Sequence, residues 1–178
     1  GRESLLQNVG VNYDCCHLAV EFEEAEEGLN LLDQAGIRLS KLHLSSALRV
    51  TPTDGNLKTL SRFVEEVYLH QVVIGQDGKV IRRYKDLDLA LDAIESGEGE
   101  KGDEWRIHFH VPLHASPGNG MGDTRNHVRK TLDWLARNPE KCGHLEMETY
   151  TWEVLAENLR SWEVDAQVAE EYFWTRKA

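Results

Sequence analysis

Asp14 and His17 stand three positions apart in the stretch NYDCCHLAVEFE, Asn12 to Glu23, among apolar neighbours. A carboxylate and an imidazole are both costly to bury without partners. The same residue types recur downstream: His43 in KLHLSS, His108 and His110 in EWRIHFHVPL, and Glu146 and Glu148 in GHLEMETYT. Converging imidazoles and carboxylates are what a divalent cation needs, with Mn, Zn, Fe, Co or Mg as the metal. A bound cation would turn the burial of Asp14 and Glu148 from a cost of several kcal/mol each into a favourable interaction. Any one of these histidines alone reads as a core residue donating to a backbone carbonyl. Polar groups on several successive strand ends read as a site.

The elements that must position them follow from periodicity. Val11–Val20 reads as a strand, and Glu24–Ala35 as a helix with Leu29 and Leu32 on one stripe and Gly36 as its stop. Ile37–Ser45 returns to strand character. Asn56–Val67 places Leu57, Leu60, Phe63, Val64 and Val67 at helical spacing. Asp77-Gly78 between two β-rich runs predicts a hairpin, and a short helix over Leu87–Ile94 follows. Glu95–Glu104 (ESGEGEKGDE) is a charged, glycine-rich loop. Then come a strand over Glu104–Leu113, a Gly/Pro-rich loop around Gly118, Gly120 and Gly122, a helix over Asp123–Arg137, a strand over Gly143–Thr151, and helical character from Val154 to Trp174. Four βα units in series predict a parallel sheet with helices outside, and sites in such folds lie at the C-terminal strand edge. Residues two apart share a face, so His108 with His110, and Glu146 with Glu148 and Tyr150, are same-face sets.

Composition narrows the class. The chain of 178 residues, 40% hydrophobic, suits one domain with a real core. A net charge of −11, from 31 acidic and 20 basic residues, repels a phosphate backbone, so nucleic acid is not the expected partner. No apolar run approaches a membrane span, and GRESLLQNVG lacks a signal-peptide pattern, so the expectation is a soluble, cytoplasmic protein. Cys15, Cys16 and Cys142 read as reduced, buried thiols rather than a disulfide framework.

The order YDCCHLAVEFE, KLHLSSALRV, YLHQVV, WRIHFHVPL, HLEMETYTW resembles the C-terminal half of the EboE-like metabolite traffic proteins, of the xylose isomerase-like TIM barrel superfamily, over about Val11 to Trp152. It is more distantly similar to type IV apurinic endonucleases and ketose epimerases. The fold that this implies is α/β: about four βα units forming the C-terminal half of a (β/α)8 barrel, with an inserted β-hairpin. A complete barrel takes about 250 residues, so residues 1–178 would be a single domain that is a fragment of a larger barrel. Its open edges would favour self-association.

Carried over by motif, the resemblance points to Asp14, His17, His43 and Glu148 as metal ligands. More than half of the chain separates His43 from Glu148, longer than the superfamily's usual spacing, so either His43 or His110 is the equivalent histidine. His70 matches the extra loop histidine of the endonucleases, but Tyr68 stands where they have an acid.

The implied chemistry is proton transfer next to a carbonyl on a sugar- or polyol-like substrate held by a divalent metal, with Glu148 as the catalytic carboxylate. Its structural alternative is a salt bridge from Glu148 to Arg106 or Lys41. Ser45, Ser46 and Arg49 are placed to bind hydroxyl or phosphate groups. The rival readings are metal-dependent phosphoester hydrolysis and a non-catalytic metabolite carrier.

Overall fold

The structure is a computed structural model that describes residues 1–118, 120–148 and 163–178. It is a mixed α/β fold built on two sheets. After a short helix α1 (Arg2–Asn8), strand β1 (Val11–Asp14) turns directly into α2 (Cys15–Val20). There follow α3 (Ala25–Gln34), β2 (Leu39–Leu44), β3 (Ala47–Val50), α4 (Asp54–Leu60), the hairpin β4 (Val72–Gln76) and β5 (Lys79–Tyr84), and α5 (Leu87–Glu95). The chain continues with β6 (Glu104–His110), β7 (Gly122–Asp123), α6 (Arg125–Arg137), β8 (Leu145–Met147) and α7 (Val164–Thr175). No helix among the described residues is long and apolar enough to cross a membrane.

The first sheet is parallel, in the order β1-β2-β8. Its register pairs Asp14 with His43 and His43 with Glu146, so these residues stand abreast at the C-terminal strand ends. Helices α3 and α6 pack on each other. Their seam carries Trp134 Nε1 donating to Asn30 Oδ1 at 2.8 Å and ion pairs from Arg137 to Glu26 and Lys130 to Glu24. Beneath lies a core of Tyr13, Cys15, Leu29, Leu42, Leu44, Val128 and Trp134, with Trp174 of α7 packed against it. Each fully buried side chain of this kind stabilises by roughly 1.5–3 kcal/mol, which is the scale that must carry the polar site above.

The second sheet, β5-β4-β6-β3-β7, is antiparallel throughout. Its core is Leu48, Leu60, Val72, Ile74, Leu87, Trp105, Ile107 and Phe109. In sequence it fills the interval between β2 and α6, and this explains the long stretch from His43 to Glu148.

The strand expected over Val11–Val20 ends at Asp14, because the Asp14 carboxylate accepts from the backbone N–H of Cys16 (2.9 Å) and His17 (3.2 Å) and so caps a helix. The burial of Cys15, Cys16, Ala19 and Val20 follows that helix rather than strand alternation. Four parallel strands were expected, and three are found among the described residues. The strand at Glu104–His110 pairs antiparallel with β3 and β4, while β2 pairs directly with β8. The expected inserted hairpin forms, with Asp77 and Gly78 both at positive φ, but as part of this five-stranded sheet rather than alone.

The helix expected over Asn56–Val67 starts at Asp54, capped by Thr53, and ends at Leu60. Beyond it the Glu65 carboxylate captures the N–H groups of Val67 and Tyr68, offering the backbone an alternative to the helical ladder. The strand expected over Gly143–Thr151 is seen at Leu145–Met147. Tyr150, Trp152 and the first part of the helical stretch expected from Val154 lie outside the described residues, and its later part is α7.

Helix α2 joins the two sheets. Arg106 of β6 donates to the Ala19 carbonyl at its C-terminal end at 2.6 Å and stacks its guanidinium over Phe22. Glu21 takes Gln71 Nε2 and Arg83 Nε at 2.9 and 2.7 Å. Phe22, itself at φ +62°, lies on Gly75, where an added Cβ would sit 2.5 Å from the ring; no other residue leaves this space. The result is that Cys15 enters the parallel-sheet core and Cys16 enters a separate cluster with Val20, Ala47 and Val73.

Candidate metal centre

Three polar side chains meet at the C-terminal edge of the parallel sheet. Asp14 is the last residue of β1, His43 lies near the end of β2, and Glu148 follows β8. Their ligand-type atoms lie within 4.8 Å of one another. Asp14 Oδ2 is 3.2 Å and Glu148 Oε2 2.5 Å from His43 Nδ1, and the Asn12 amide is 3.3 Å from the same nitrogen. One proton on Nδ1 cannot satisfy all of these at once. Cis ligands of a cation at about 2.1 Å are about 3.0–3.4 Å apart, so a small opening of the His43–Glu148 contact would admit one. Among the described residues, His43 Nε2 is buried without a hydrogen bond, its nearest acid being Glu146 Oε2 at 3.5 Å.

Burial raises the pKa of Glu148, and the hydrogen bond and charge of Asp14 raise it further. Burial alone would raise Asp14 too, but the Ser45 hydroxyl (2.8 Å), the charge and backbone N–H of His17, and the Glu148 carboxyl hold it down at about 2. The two crowded acids are thereby pushed apart, Asp14 below and Glu148 above the ordinary carboxylate range.

A second group lies beside the first. Cys16 of α2 and His108 and His110 of β6 also place their ligand atoms within 4.8 Å of one another. His108 Nε2 and His110 Nε2 are 3.0 Å apart, and His110 Nδ1 lies 2.6 Å from the Glu148 backbone carbonyl. Burial, then the neighbouring His17 and His110, push His108 down to about 3, so its ring is neutral.

The other expected ligands are placed as follows. His17 stands between the two groups, 3.9 Å from Asp14 Oδ2 and with its ring edge-on to His108 at 4.2 Å, but half exposed and in neither. Glu146 is exposed and paired with Lys41 Nζ at 2.7 Å, so the lysine considered for Glu148 goes to Glu146 instead. Arg106, the other candidate partner of Glu148, pairs with Glu104 at 2.6 Å. His70 is not brought to the cluster. Its ring stacks on Phe109, on the opposite face of β6 from His108 and His110, and its N–H donates to Asp86.

Ser45 is spent on Asp14, and Ser46 is buried against Thr124. Arg49 lies near Glu104. None of these three is poised for substrate in the way the sequence suggested. His43 rather than His110 is the histidine grouped with Asp14 and Glu148.

Cys16, read from the sequence as a buried thiol in preference to a reactive or metal-bound one, stands with two of the expected ligands, His108 and His110. The signal was present: reading Cys15-Cys16-x-x-Ala19-Val20 at helical period puts Cys16 on the face turned away from Cys15's core. No family model matches the chain, and neither does any curated protein or any solved structure.

Proposed function

We propose that the chain holds a divalent cation, of the Mn, Zn, Fe, Co or Mg group, between Asp14, His43 and Glu148, and belongs to a metal-dependent isomerase or epimerase acting on a sugar- or polyol-like metabolite. The observation that carries this reading is the set of two carboxylates and one imidazole abreast at the C-terminal ends of three adjacent parallel strands, the edge where α/β enzymes build their sites. The three parallel strands, with α3 and α6 on one side and the antiparallel sheet inserted between β2 and α6, support a place in the C-terminal part of a xylose isomerase-like barrel.

When bound, the cation would polarise a substrate oxygen and offset the negative charge that develops beside a carbonyl. Asp14 is pre-oriented for holding it by the Ser45 hydroxyl and two backbone N–H groups. Glu148, at the edge of the group beside His43, is the carboxylate that would give or take the proton at the carbon next to the carbonyl. His43 holds Glu148 Oε2 in place at 2.5 Å. The adjacent Cys16–His108–His110 group favours one second reading, metal-dependent phosphoester hydrolysis of a small substrate, since clustered cations suit that chemistry.

Elemental analysis after loading with each metal, followed by proton–deuterium exchange on ketoses and aldoses observed by NMR, tests the proposal. Stoichiometric metal, exchange that needs it, and loss of exchange in Glu148→Gln are expected. Metal binding that survives His43→Gln unchanged would overturn it. Stoichiometric metal with hydrolysis of phosphoesters in place of exchange would establish the second reading, and metal with neither reaction would indicate a carrier.

A further inference from the structure

We propose that Cys16, His108 and His110 form a second cation site, separate from Asp14, His43 and Glu148, that takes a thiophilic divalent ion of the zinc class. The ligand set is the first argument. One thiolate and two imidazoles select borderline-soft cations, whereas two carboxylates and one imidazole accept harder ones, so the two groups differ in the ion they prefer.

Geometry is the second argument. A tetrahedral ion with bonds of about 2.05 Å to nitrogen and about 2.3 Å to sulfur sets its nitrogens about 3.3 Å apart and its sulfur about 3.6 Å from each. The two Nε2 atoms stand 3.0 Å apart, and every pair in the group, Cys16 Sγ included, lies within 4.8 Å. The shifts required are a few tenths of an ångström for the imidazoles.

Support is the third. His110 Nδ1 sits 2.6 Å from the Glu148 carbonyl, which must be met by an N–H; that assigns the tautomer and leaves the Nε2 lone pair directed toward His108. His108 and His110 are successive same-face residues of β6, a strand paired on both sides, and Cys16 lies in the first turn of α2, which is clamped to that sheet by Arg106 and Phe22. Its backbone N–H is held by Asp14 Oδ1 and Ser45 Oγ at 2.9 and 3.1 Å. Three protein ligands would leave a fourth position for water or a reactant. Binding transfers the Cys16 thiol proton to solvent, one proton per ion.

The alternative is an ordinary hydrogen bond between two buried imidazoles beside an inert thiol, and cobalt distinguishes the two. Metal-free chain titrated with Co(II) should take up a second equivalent and develop a sulfur-to-cobalt charge-transfer band. Cys16→Ala should lose the band and fall from two bound ions to one, while Cys15→Ala, whose thiol bonds Thr131 in the other core, should keep it. Asp14→Asn should lose the oxygen-rich site's ion and retain the band. If Cys16→Ala does not fold, His108→Gln carries the same expectation, and X-ray absorption of the zinc-loaded native chain should show one sulfur neighbour. A native chain that binds cobalt without the band, or a band that survives Cys16→Ala, overturns the second site and leaves the first standing. A single ion with the band, unaffected by Asp14→Asn, does the reverse.

Discussion

The two ligand groups touch through Glu148 and Cys16 yet are built in opposite ways. Asp14, His43 and Glu148 come from three neighbouring strands of one parallel sheet, where the register alone sets them abreast. Cys16, His108 and His110 come from a helix of one sheet and a strand of the other, and meet only because α2 is clamped across the junction. The first group is oxygen-rich and partly open to solvent; the second contains sulfur and is mostly buried. Local chain order is enough to create the former, while packing between two cores creates the latter. The consequence is that they should respond to different ions and different substitutions.

The largest expected effect separates them by ligand removal. Glu148→Ala should weaken binding of Mg or Mn by more than about 100-fold, beyond the 10–100-fold typical of losing an outer partner, and leave cobalt binding at the thiol site in place. Isothermal titration with each ion measures both. Ser45→Ala removes such an outer partner of Asp14, and a loss of about 10–100-fold at the oxygen-rich site alone is expected.

Stability sharpens the same contrast. An ion at 100 times its Kd stabilises the folded chain by about 2.7 kcal/mol. Urea unfolding should show that increment with Mg in both the native chain and Cys16→Ala. With zinc the native chain should gain from both sites and Cys16→Ala from one. Equal zinc increments in the two chains would erase the distinction.

Without metal, the groups move stability in opposite directions with pH. His108 titrates at about 3 in the folded chain against an ordinary 6.5, so its contribution is present above 6.5 and is lost as pH falls toward 3. Glu148 is raised above its ordinary 4.5, so its contribution is present below 4.5 and is lost as pH rises through its folded value. Urea midpoints at pH 7 and pH 4 should therefore fall less on acidification in His108→Gln, and should be higher at pH 7 in Glu148→Gln. The smallest effect belongs to Glu146→Gln. This carboxylate is exposed and engaged by Lys41, so unchanged metal affinity and an unchanged midpoint are expected.

Much of the framework was legible. The Leu29/Leu32 stripe located α3, Asp77-Gly78 located the β4–β5 turn, and the helix expected over Asp123–Arg137 is found as α6. The misreadings share a cause. At Asp14 an apolar run was read as a continuing strand, although a side-chain cap two residues on decides for helix. At Glu104–His110 alternation revealed a strand but not its partners, because alternation is the same in parallel and antiparallel sheets. Strands as short as β3 and β7 carry too few residues to show any period. His70 was grouped by its resemblance to the extra loop histidine of the endonucleases, and the strand's two faces place it apart from His108 and His110.

The order of residues by itself determined that acids and imidazoles stand near the ends of strand-forming runs, since side-chain alternation is a local rule that any reader of the chain can apply. Tertiary structure alone decided which histidine joins Asp14, that Lys41 engages Glu146 rather than Glu148, and that Cys16 faces His108 and His110. The physical reason is that side chains from different sheets meet through close packing: Phe22 rests on Gly75, and Arg106 holds the end of α2. No spacing along the chain encodes those contacts.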